Sequence, residues 1–479
     1  MPPCRLTILI VCLLACTLAA SAQDQLGIAG STRSPVNTVW NNPSTIVDSR
    51  AFLDFNIVGL NLFARNDLAY LEGKTFSFAT VDTITNAQYN KGKNKYHAYA
   101  DVQVHGPSIS FAVKQHAFAL LTSVRVMSDV RGLPGEITDY IPAGLNAADH
   151  MGERRQFKDV RLHGLAWAEI GLSYGTIVKR DGNAIWQLGV TAKRLLGSTG
   201  VGLRLDDWTY VVRDSTNLQT FVFRGEYGFN DPSQGGLFTG KGWGGDIGVT
   251  YKMRKSESSG YKPHNPCTDG DYLYRIGFSI LDIGRINFKG PFYRNIFDQT
   301  EGSQWENYSG GTADGIADLD SLINSNFQLV QQNGDEQRFL MKLPTAFSAF
   351  VDYNLTHNFY VYATSTVGLP RKRNLGVQRA SYLGIVPRWE KKRIEISAPL
   401  SLYEWKHPQV GLCFRFNSII IGSDNLGWAF LNQDLYGADI YLAIKWTKFR
   451  HSKCKQKKDR PKIPARRQGG REAVPCPAW

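Results

Sequence analysis

The chain has 479 residues, a formal net charge of +13, 46 glycines, 12% aromatic residues and a mean hydropathy of −0.27. Beyond the N-terminal region its cysteines are far apart and none forms a C-x-x-C pair, which excludes a disulfide scaffold and disfavours a zinc site. From Thr447 to Trp479, eleven Lys and Arg stand against Asp459 and Glu472, so the positive charge belongs mainly to the C-terminus and does not indicate nucleic-acid binding.

The N-terminus has the pattern of a secretory signal peptide. Arg5 supplies the positive charge, Leu6 to Leu18 form an apolar run, and Ala20-Ser21-Ala22 supplies small residues for the peptidase, so Gln23 is the predicted mature start. A transmembrane helix needs about 20 apolar residues, more than this run has. A lipoprotein signal at Cys16 is an alternative that the apolar residues after it disfavour. We therefore expect an exported protein.

From Phe52 onwards, apolar and polar residues alternate in short segments, as in β-strands with one apolar face. Residues 23–50 are rich in Gly, Ser, Thr and Asn and too irregular for a strand. The alternating segments are, in chain order, Phe52–Arg65, Ile109–Val113, Phe118–Val126, Ala166–Tyr174, Trp186–Lys193, Asp246–Met253, Phe347–Ala363, Val410–Ile421 and Asp439–Trp446. The turn at Arg180–Asn183 contains Asp-Gly, a strong indicator of a hairpin.

The connections between these segments differ in length. Tight turns occur together with long polar loops such as Asn66–Tyr96 and Asn287–Lys342, an asymmetry typical of outer-membrane barrels. A β-sandwich would also explain the alternation, but it would turn the charged side chains of several strands toward an apolar core at a large desolvation cost. Strands of about ten residues predict roughly 12–16 strands. The predicted fold class is therefore an all-β, transmembrane antiparallel barrel with both termini in the periplasm.

Four longer segments resemble a known family. They are NNPSTIVDSRAFLDFNIVGLNLFARNDL, YRIGFSILDIGRINF, LPTAFSAFVDYNLTHNFYVYAT and the end of the barrel, IIIGSDNLGWAF with GADIYLAIKW. Together they resemble a Bacteroidota outer-membrane family described only as a domain of unknown function, over about Asn41 to Trp446. That family is similar to the FadL-like barrels, including the PorV-type proteins of type 9 secretion. The resemblance implies 14 strands and an N-terminal Asn-Pro-Ala segment folded near the barrel as a hatch.

The hatch that this resemblance implies would lie just before the first strand. Asn42-Pro43-Ser44 stands where the Asn-Pro-Ala triplet would be, with Ser in place of Ala. Asp48 and Arg50 complete the candidate hatch residues. The alternative is an ordered periplasmic lead-in, in which Asn and Asp stabilise turns.

Inward-facing polar residues give the second set of candidates, namely Glu169, Lys193, Asp246 and Lys252. They would line a permeation path or, alternatively, form an ion-pair network that fills the lumen and keeps the barrel rigid.

Metal, cofactor and catalytic sites have little support. Asp314, Asp318 and Asp320 lack the spacing of a calcium loop and fit the capped start of an amphipathic helix in an external loop. No histidine stands in a catalytic motif. His105, His163 and Ser110 would be the parts of a catalytic group assembled from separate strands, but we interpret the histidines as girdle or turn residues. We predict no metal, no cofactor and no enzymatic activity.

The predicted closing strand begins at Gly437, with Ile440, Leu442 and Ile444 toward lipid and Trp446 in the interfacial aromatic girdle. The basic residues 447–479 cannot bury a core, and we expect a disordered periplasmic tail. Such a tail would be a solvated end or would bind anionic lipid head groups or the carboxylates of peptidoglycan.

The sequence thus divides into a signal peptide (1–22), a hatch or lead-in segment (23–50), a barrel (51–446) and a tail (447–479). The predicted location is the outer membrane, in contact with its lipids and lipopolysaccharide. The predicted function is FadL-like passage of small hydrophobic or amphipathic molecules. The alternative is a barrel that transports nothing and serves as a scaffold subunit of an outer-membrane secretion or assembly complex, in contact with other outer-membrane or periplasmic proteins.

Overall fold

The structure is a computed structural model that describes residues 25–72, 88–138, 151–214, 217–230, 236–255, 272–289, 292–306, 323–325, 327, 329–332, 339–356, 358–369, 375–427 and 434–449. The predicted signal peptide, the aspartates of the predicted external helix and nearly all of the predicted tail lie outside these ranges. Within them, helices are too short or too polar to span a membrane.

Three short helical turns precede the sheet: α1 (Leu26–Ala29), α2 (Pro35–Thr38) and a 3₁₀ helix (Pro43–Asp48). Asn42 caps the 3₁₀ helix, because its side-chain oxygen accepts a hydrogen bond of 2.9 Å from the backbone N–H of Ser44. Pro43 suits the first helical position, where no backbone donor is needed.

The strands in the first half of the barrel are β1 (Ala51–Asn66), β2 (Ala69–Tyr70), β3 (Gln88–Tyr89), β4 (Lys95–His105), β5 (Ser108–Val113), β6 (His116–Pro134), β7 (Arg154–Asp181), β8 (Ala184–Val212), β9 (Asn217–Asn230), β10 (Gly240–Arg254) and β11 (Tyr272–Phe288). Those in the second half are β12 (Phe292–Gln299), β13 (Ser303–Glu306), β14 (Leu329–Gln332), β15 (Phe339–Lys342), β16 (Ala346–Asn354), β17 (Phe359–Gly368), β18 (Tyr382–Glu390), β19 (Ile394–Ser397), β20 (Leu400–Tyr403), β21 (His407–Val410), β22 (Leu412–Phe416), β23 (Ile419–Ser423) and β24 (Gly437–Phe449).

Several of these strands are successive pieces of one barrel strand. β4 and β5 both pair with β1, β9 and β10 both pair with β8, and β19 and β20 both pair with β18. Joined in this way, the pieces form a closed antiparallel barrel of 14 strands, in which β24 pairs with β1. The predicted all-β antiparallel barrel is confirmed. We call the end that carries Ala51 and Phe449 the terminal end and the opposite end the loop end.

Side chains of β24 show how the wall is divided. Ile440, Leu442, Ile444 and Trp446 point outward with 37–52% of their surface exposed, whereas Lys445 is 1% exposed and points into the lumen. The same alternation in β6 exposes Phe118, Leu120, Val124 and Val126 and buries Ser123 and Arg125. An apolar outside and a polar inside are what a lipid bilayer around a barrel requires.

The structure differs from the sequence-based expectations in three respects: the end of the closing strand, the content of one predicted loop and the length of two strands. β24 continues to Phe449, so the closing strand ends beyond Trp446, because its last residues still pair with Ala51, Leu53 and Asp54 of β1. The predicted polar loop Asn287–Lys342 contains β12–β15, which extend the barrel wall. β7 and β8 are 28 and 29 residues long, whereas about 9–11 residues span a membrane, so part of this wall stands beyond the bilayer.

Candidate functional site

Residues 25–50, here called the lumen segment, lie inside the barrel. Most of their side chains are buried, although the segment contains many polar residues. Its apolar residues Val36, Val39, Ile46 and Val47 pack against inward-facing alanines and Leu121 of β5 and β6. Leu26, Ile28 and Ala29 pack in two further apolar clusters with residues of the wall. Polar contacts complete the attachment of the segment.

The lumen segment packs against a row of three glycines in the barrel wall, here called the glycine row. Gly175 of β7 lies opposite Gly189 of β8, which lies opposite Gly248 of β10, so three neighbouring strands lack side chains at one level. The 3₁₀ helix presses against this row: a Cβ atom on Gly189 would lie 2.3 Å from the carbonyl carbon of Pro43, and one on Gly248 would lie 2.1 Å from Oδ1 of Asn42. Only glycine permits this approach of the two backbones.

Polar atoms of residues 41–44 bind the wall beside the glycine row. The Asn42 amide donates to the carbonyl of Phe278 (3.2 Å), Ser279 donates to the carbonyl of Asn41 (2.7 Å), and the hydroxyls of Ser44 and Thr250 are 2.6 Å apart. The candidate hatch residues Asn42, Pro43 and Ser44 therefore lie together against β10 and β11.

Asp48 attaches the segment to the wall through ion pairs. Its carboxylate contacts the ammonium of Lys252 and lies 3.0 Å from the guanidinium of Arg275. Burial by itself would raise the pKa of Asp48, but the two cations outweigh burial and hold its pKa below the ordinary value. Arg275 also pairs with Asp352 of β16, whose carboxylate lies 3.2 Å from Arg388.

A second group of ion pairs holds the beginning of the segment. Arg33 lies 3.0 Å from Glu390 at the end of β18, while Ser31 donates a hydrogen bond of 2.8 Å to Glu395 of β19. Arg415 of β22 pairs with the same Glu395 at 2.9 Å. The last candidate hatch residue, Arg50, is partly buried and donates to the hydroxyl of Tyr360 (3.1 Å).

The closing strand contributes a third attachment. Lys445, an inward residue of β24, lies 2.7 Å from Asp54 of β1 and donates a hydrogen bond of 3.1 Å to Asn37 of the lumen segment. Asp54 also accepts a hydrogen bond of 3.2 Å from the backbone of Val36. The junction that closes the barrel therefore also binds the segment.

A charged cluster lies deeper in the lumen, toward the loop end. Lys193 is 2.9 Å from Asp246 and 2.8 Å from Asp282, and Arg125 lies 3.0 Å from Asp282 and 3.8 Å from Glu169. All five side chains are buried. Three sequence candidates, Glu169, Lys193 and Asp246, thus meet here, whereas the fourth, Lys252, belongs to the Asp48 group.

A polar cavity separates this cluster from the tip of the lumen segment. The indole of Trp40 lies over the ammonium of Lys193 at 5.5 Å and 4.9 Å from the imidazole of His105. The cavity has about 20 Å³ for water-sized molecules, which is room for one or two waters. Buried polar atoms of Gln25, Asn61, His105 and Arg125 have no hydrogen-bond partner among the described residues, as expected for a hydrated space.

A second inward-folded segment, residues 375–381, comes from the loop end. Val377 and Leu375 pack in an apolar cluster with residues of β8, β11 and β15, and Arg379 reaches to 3.8 Å from Asp282. The backbone N–H of Gln378 donates to Asp129 at 2.8 Å. In the described structure the lumen is therefore filled from both ends, and the charged cluster lies between the two fillings.

A rim pocket lies at the loop end. It is lined by Arg65, Asp67, His97, Tyr99, Tyr403, Glu404, Lys406 and His407. His407 and Asp67 are 3.1 Å apart, and Lys93 lies 3.5 Å from the same carboxylate. Burial acts to raise the pKa of Asp67, but the hydrogen bond from His407 and the charge of Lys93 lower it below the ordinary value.

Several residues of these clusters were not identified from the sequence. Four of them occupy inward positions of strands that alternate regularly, so the alternation could have identified them: Arg125, Arg275, Asp352 and Arg388. Asp282 was not: it sits at a β-bulge with φ 52°, where the alternation breaks.

The histidines lie elsewhere than expected. The interpretation of His105 and His163 as girdle or turn residues is wrong, since both are buried strand residues pointing inward, and His163 lies 3.4 Å from Asp129. Ser110 is also buried, on β5. Among the described residues, no group of three or more His, Cys, Asp and Glu could hold a metal ion, and the aspartates of the rejected calcium interpretation lie outside them.

Comparison with solved structures finds similar barrels at low sequence identity. The Pseudomonas putida toluene transporter TodX matches with 10% identity and a TM-score of 0.37, over 87% of this chain and 94% of that one. A TodX deltaS2S3 mutant matches with 10% identity and a TM-score of 0.40, over 86% and 94%. A Pseudomonas aeruginosa FadL homologue matches with 10% identity and a TM-score of 0.30, over 91% and 99%. At this distance the similarities assign no activity.

Sequence comparison gives a clearer result. No curated protein matches the chain. The sequence profile described as "Family of unknown function (DUF5723)" matches residues 43–424, from the 3₁₀ helix of the lumen segment to the residue after β23. The chain therefore belongs to this family of unknown function.

Proposed function

We propose that the protein is an outer-membrane barrel that passes small hydrophobic or amphipathic molecules, and that the lumen segment is a hatch that moves during passage. The observation that carries the proposal is the nature of the contacts that hold the segment. Beside its apolar packing, the segment is held by many hydrogen bonds and ion pairs, made by residues such as Asn42, Ser44 and Asp48, and a polar cavity adjoins its tip at Trp40. Water can replace polar contacts of this kind when the segment moves.

The apolar cluster above the cavity supports the choice of substrate class. This cluster lies in the loop-end half of the lumen, beside the inward-folded residues 375–381, and includes Met127, Leu165, Trp167 and Leu195 of the barrel wall. Leu375 and Val377 cover this cluster in the described structure. Once they move aside, a molecule with both apolar and polar parts would find complementary surfaces in the cluster and in the charged groups below it.

A reversible lock tests the proposal. Ser44→Cys combined with Thr250→Cys places two thiols where hydroxyls are now 2.6 Å apart, so oxidation would tether the segment to β10. In liposomes that contain the purified barrel, we expect uptake of a fluorescent amphipathic probe to fall on oxidation and to recover with reductant. The two variants that carry only one of these substitutions, in the same background of native cysteines, are the matched controls and should not respond. Absence of uptake and conductance in the wild type, and also in a variant lacking residues 23–50, would reject transport.

A scaffold role is the second candidate, because the barrel wall stands well beyond the membrane. β7, β8, β9, β12 and β13 form this projecting sheet, whose residues Phe157, Trp208, Phe223 and Trp305 make aromatic contacts. Affinity purification in mild detergent tests the role. Stoichiometric recovery of an outer-membrane or periplasmic protein, lost when this sheet is shortened, would support it, and recovery of the barrel alone would count against it.

A further inference from the structure

Four cationic side chains stand together on the outer face of the barrel wall, toward the loop end. The register aligns one residue on each of four neighbouring strands: Arg194 of β8, Trp243 of β10, Arg285 of β11 and Lys342 of β15. Lys241 stands two positions before Trp243 on β10 and points the same way. All five side chains are exposed or half-buried, at positions that face outward. We call Arg194, Lys241, Arg285 and Lys342 the cationic patch.

The cationic patch has no acidic partner among the described residues. None of its four side chains forms an ion pair there, and the outward residues around it are uncharged: Leu172, Ala192, Leu196, Ile283, Asn287 and Leu340. Arg285 and Lys342 are direct cross-strand partners. Like charges at such positions repel each other and destabilise the sheet. An anion bound between the two side chains would remove this cost.

The patch lies where the lipid-facing part of the wall ends. Toward the terminal end the outward residues are apolar, as with Val190 and Ile247. On β8, eight positions separate Arg194 from Trp186, whose ring lies 4.9 Å from that of Tyr251 near the terminal end. Eight residues extend about 26 Å along a strand, or about 20 Å across the bilayer when the strand is tilted by about 40°. Because the apolar band of such barrels is about 25 Å tall, the patch lies near the lipid head groups.

Trp243 supports this position of the patch. Its indole is 66% exposed, and the guanidinium of Arg194 lies 4.9 Å from its ring centre. Exposed tryptophans are typical of the membrane interface, and long cationic side chains beside them extend to the head groups. The patch therefore presents its charges to the polar layer of the membrane.

We propose that the cationic patch binds phosphate groups of lipopolysaccharide. In outer-membrane barrels the longer loops face the cell exterior, and in this orientation the loop end lies in the leaflet that contains lipopolysaccharide. Arginine binds phosphate oxygens through two parallel hydrogen bonds, and lysine acts as a point charge. A phosphate between Arg285 and Lys342 would supply their missing counter-charge. The proposal rests on the location in the outer membrane and not on passage of molecules through the lumen.

Titration of the purified, delipidated barrel in detergent tests the proposal. The probes are lipopolysaccharide, the same lipopolysaccharide after enzymatic removal of its phosphates, phosphatidylglycerol and inorganic phosphate, and native mass spectrometry measures the bound fraction. We expect intact lipopolysaccharide to bind most tightly. Each Lys or Arg near an anionic lipid surface contributes about fivefold, so Arg285→Gln combined with Lys342→Gln should weaken its binding about 25-fold. The independent pair Arg194→Gln with Lys241→Gln should have the same effect.

Two control variants separate the charge of the patch from other effects. Lys391→Gln combined with Lys392→Gln removes the same charge from an exposed turn at the terminal end and should bind like the wild type. Arg285→Lys combined with Lys342→Arg keeps the charge and should retain binding. The shift in gel mobility on heating verifies that each barrel is folded. Unchanged binding in both glutamine pairs, equal affinity for the dephosphorylated lipopolysaccharide, or tighter binding of phosphatidylglycerol or inorganic phosphate would overturn the proposal.

Discussion

Single charged residues determine how firmly the lumen segment is held. Asp48 is the clearest case, because one carboxylate compensates two buried cations on neighbouring strands, Lys252 and Arg275. Removing one member of such a group takes a counter-charge away from the buried charges that remain, which costs far more than the group contributes when complete.

We predict that Asp48→Asn destabilises the closed state by about 3–5 kcal/mol, since Lys252 would lose its described ion pair and Arg275 one of two. The measurement is protease protection of residues 25–50 in detergent, together with single-channel conductance. Asp181→Asn removes a carboxylate that is 73% exposed and should behave as the wild type. A variant as protected as the wild type would show that the ion pairs do not hold the segment.

The ion pairs of Asp48 also make the attachment of the lumen segment sensitive to low pH. The pKa of Asp48 in the folded protein lies below the ordinary value of about 3.9, so its contribution to stability is complete above about pH 4 and is lost as the pH falls through the lower, folded pKa. We expect residues 25–50 to become accessible to pepsin below that range in the wild type. In Asp48→Asn this part of the pH dependence should be missing, and an unchanged pH profile would contradict the assignment.

At the scale of elements, the 3₁₀ helix and the glycine row fit each other. The helix begins at Pro43 with Asn42 as its cap, and three adjacent strands offer Gly175, Gly189 and Gly248 at the level where it lies. Backbone packed directly on backbone leaves no room for a side chain, so the fit depends on the absence of a Cβ atom in the wall.

We predict that Gly189→Val displaces the 3₁₀ helix, because the new Cβ atom would meet backbone atoms of Pro43 and Ser44, both 2.3 Å away. Overpacking of this kind costs about 1–3 kcal/mol. The expected result is a barrel that folds normally but has higher conductance and an accessible lumen segment. Gly164→Val on β7 is the control, since a Cβ atom there meets nothing within 4 Å. If Gly189→Val and Gly164→Val have the same conductance, packing against the glycine row does not hold the segment in place.

At the scale of the whole molecule, closure of the barrel joins the two ends of the chain. Phe449, Lys448 and Thr447 pair with the start of β1, and Thr447 donates a hydrogen bond of 2.6 Å to Asp54. The guanidinium of Arg33 lies 5.5 Å from the ring centre of Phe449, so the lumen segment also contacts the last described residue.

We therefore predict different results from two truncations. A chain ending at Phe449 should fold, because all described pairs between β1 and β24 are kept, whereas a chain ending at Trp446 loses three pairs and the hydrogen bond to Asp54. The measurement is the fraction of folded barrel after refolding in detergent, read from the shift in gel mobility on heating. Equal yields would show that closure does not need residues 447–449.

The sequence predicts which residues of the barrel wall face inward better than it predicts the contacts that they make in the lumen. Strand parity placed Glu169, Lys193, Asp246 and Lys252 among the inward positions, and the structure buries all four. Parity does not tell which charges meet: Lys252 joins Asp48, 204 positions earlier in the chain, while Lys193 joins Asp246 and Asp282. Whether these residues line a path stays a prediction.

By itself, then, the sequence determined the alternating strands, the turns between them and the closed all-β class, because a period of two and turn chemistry are local properties. Only the tertiary structure decided that residues 25–50 fill the lumen, that residues 375–381 fold inward above them, and that the last strand reaches Phe449. Those outcomes depend on closure of the barrel, which brings distant residues such as Asp54 and Lys445 to within 2.7 Å and sets the size of the space that the chain must fill.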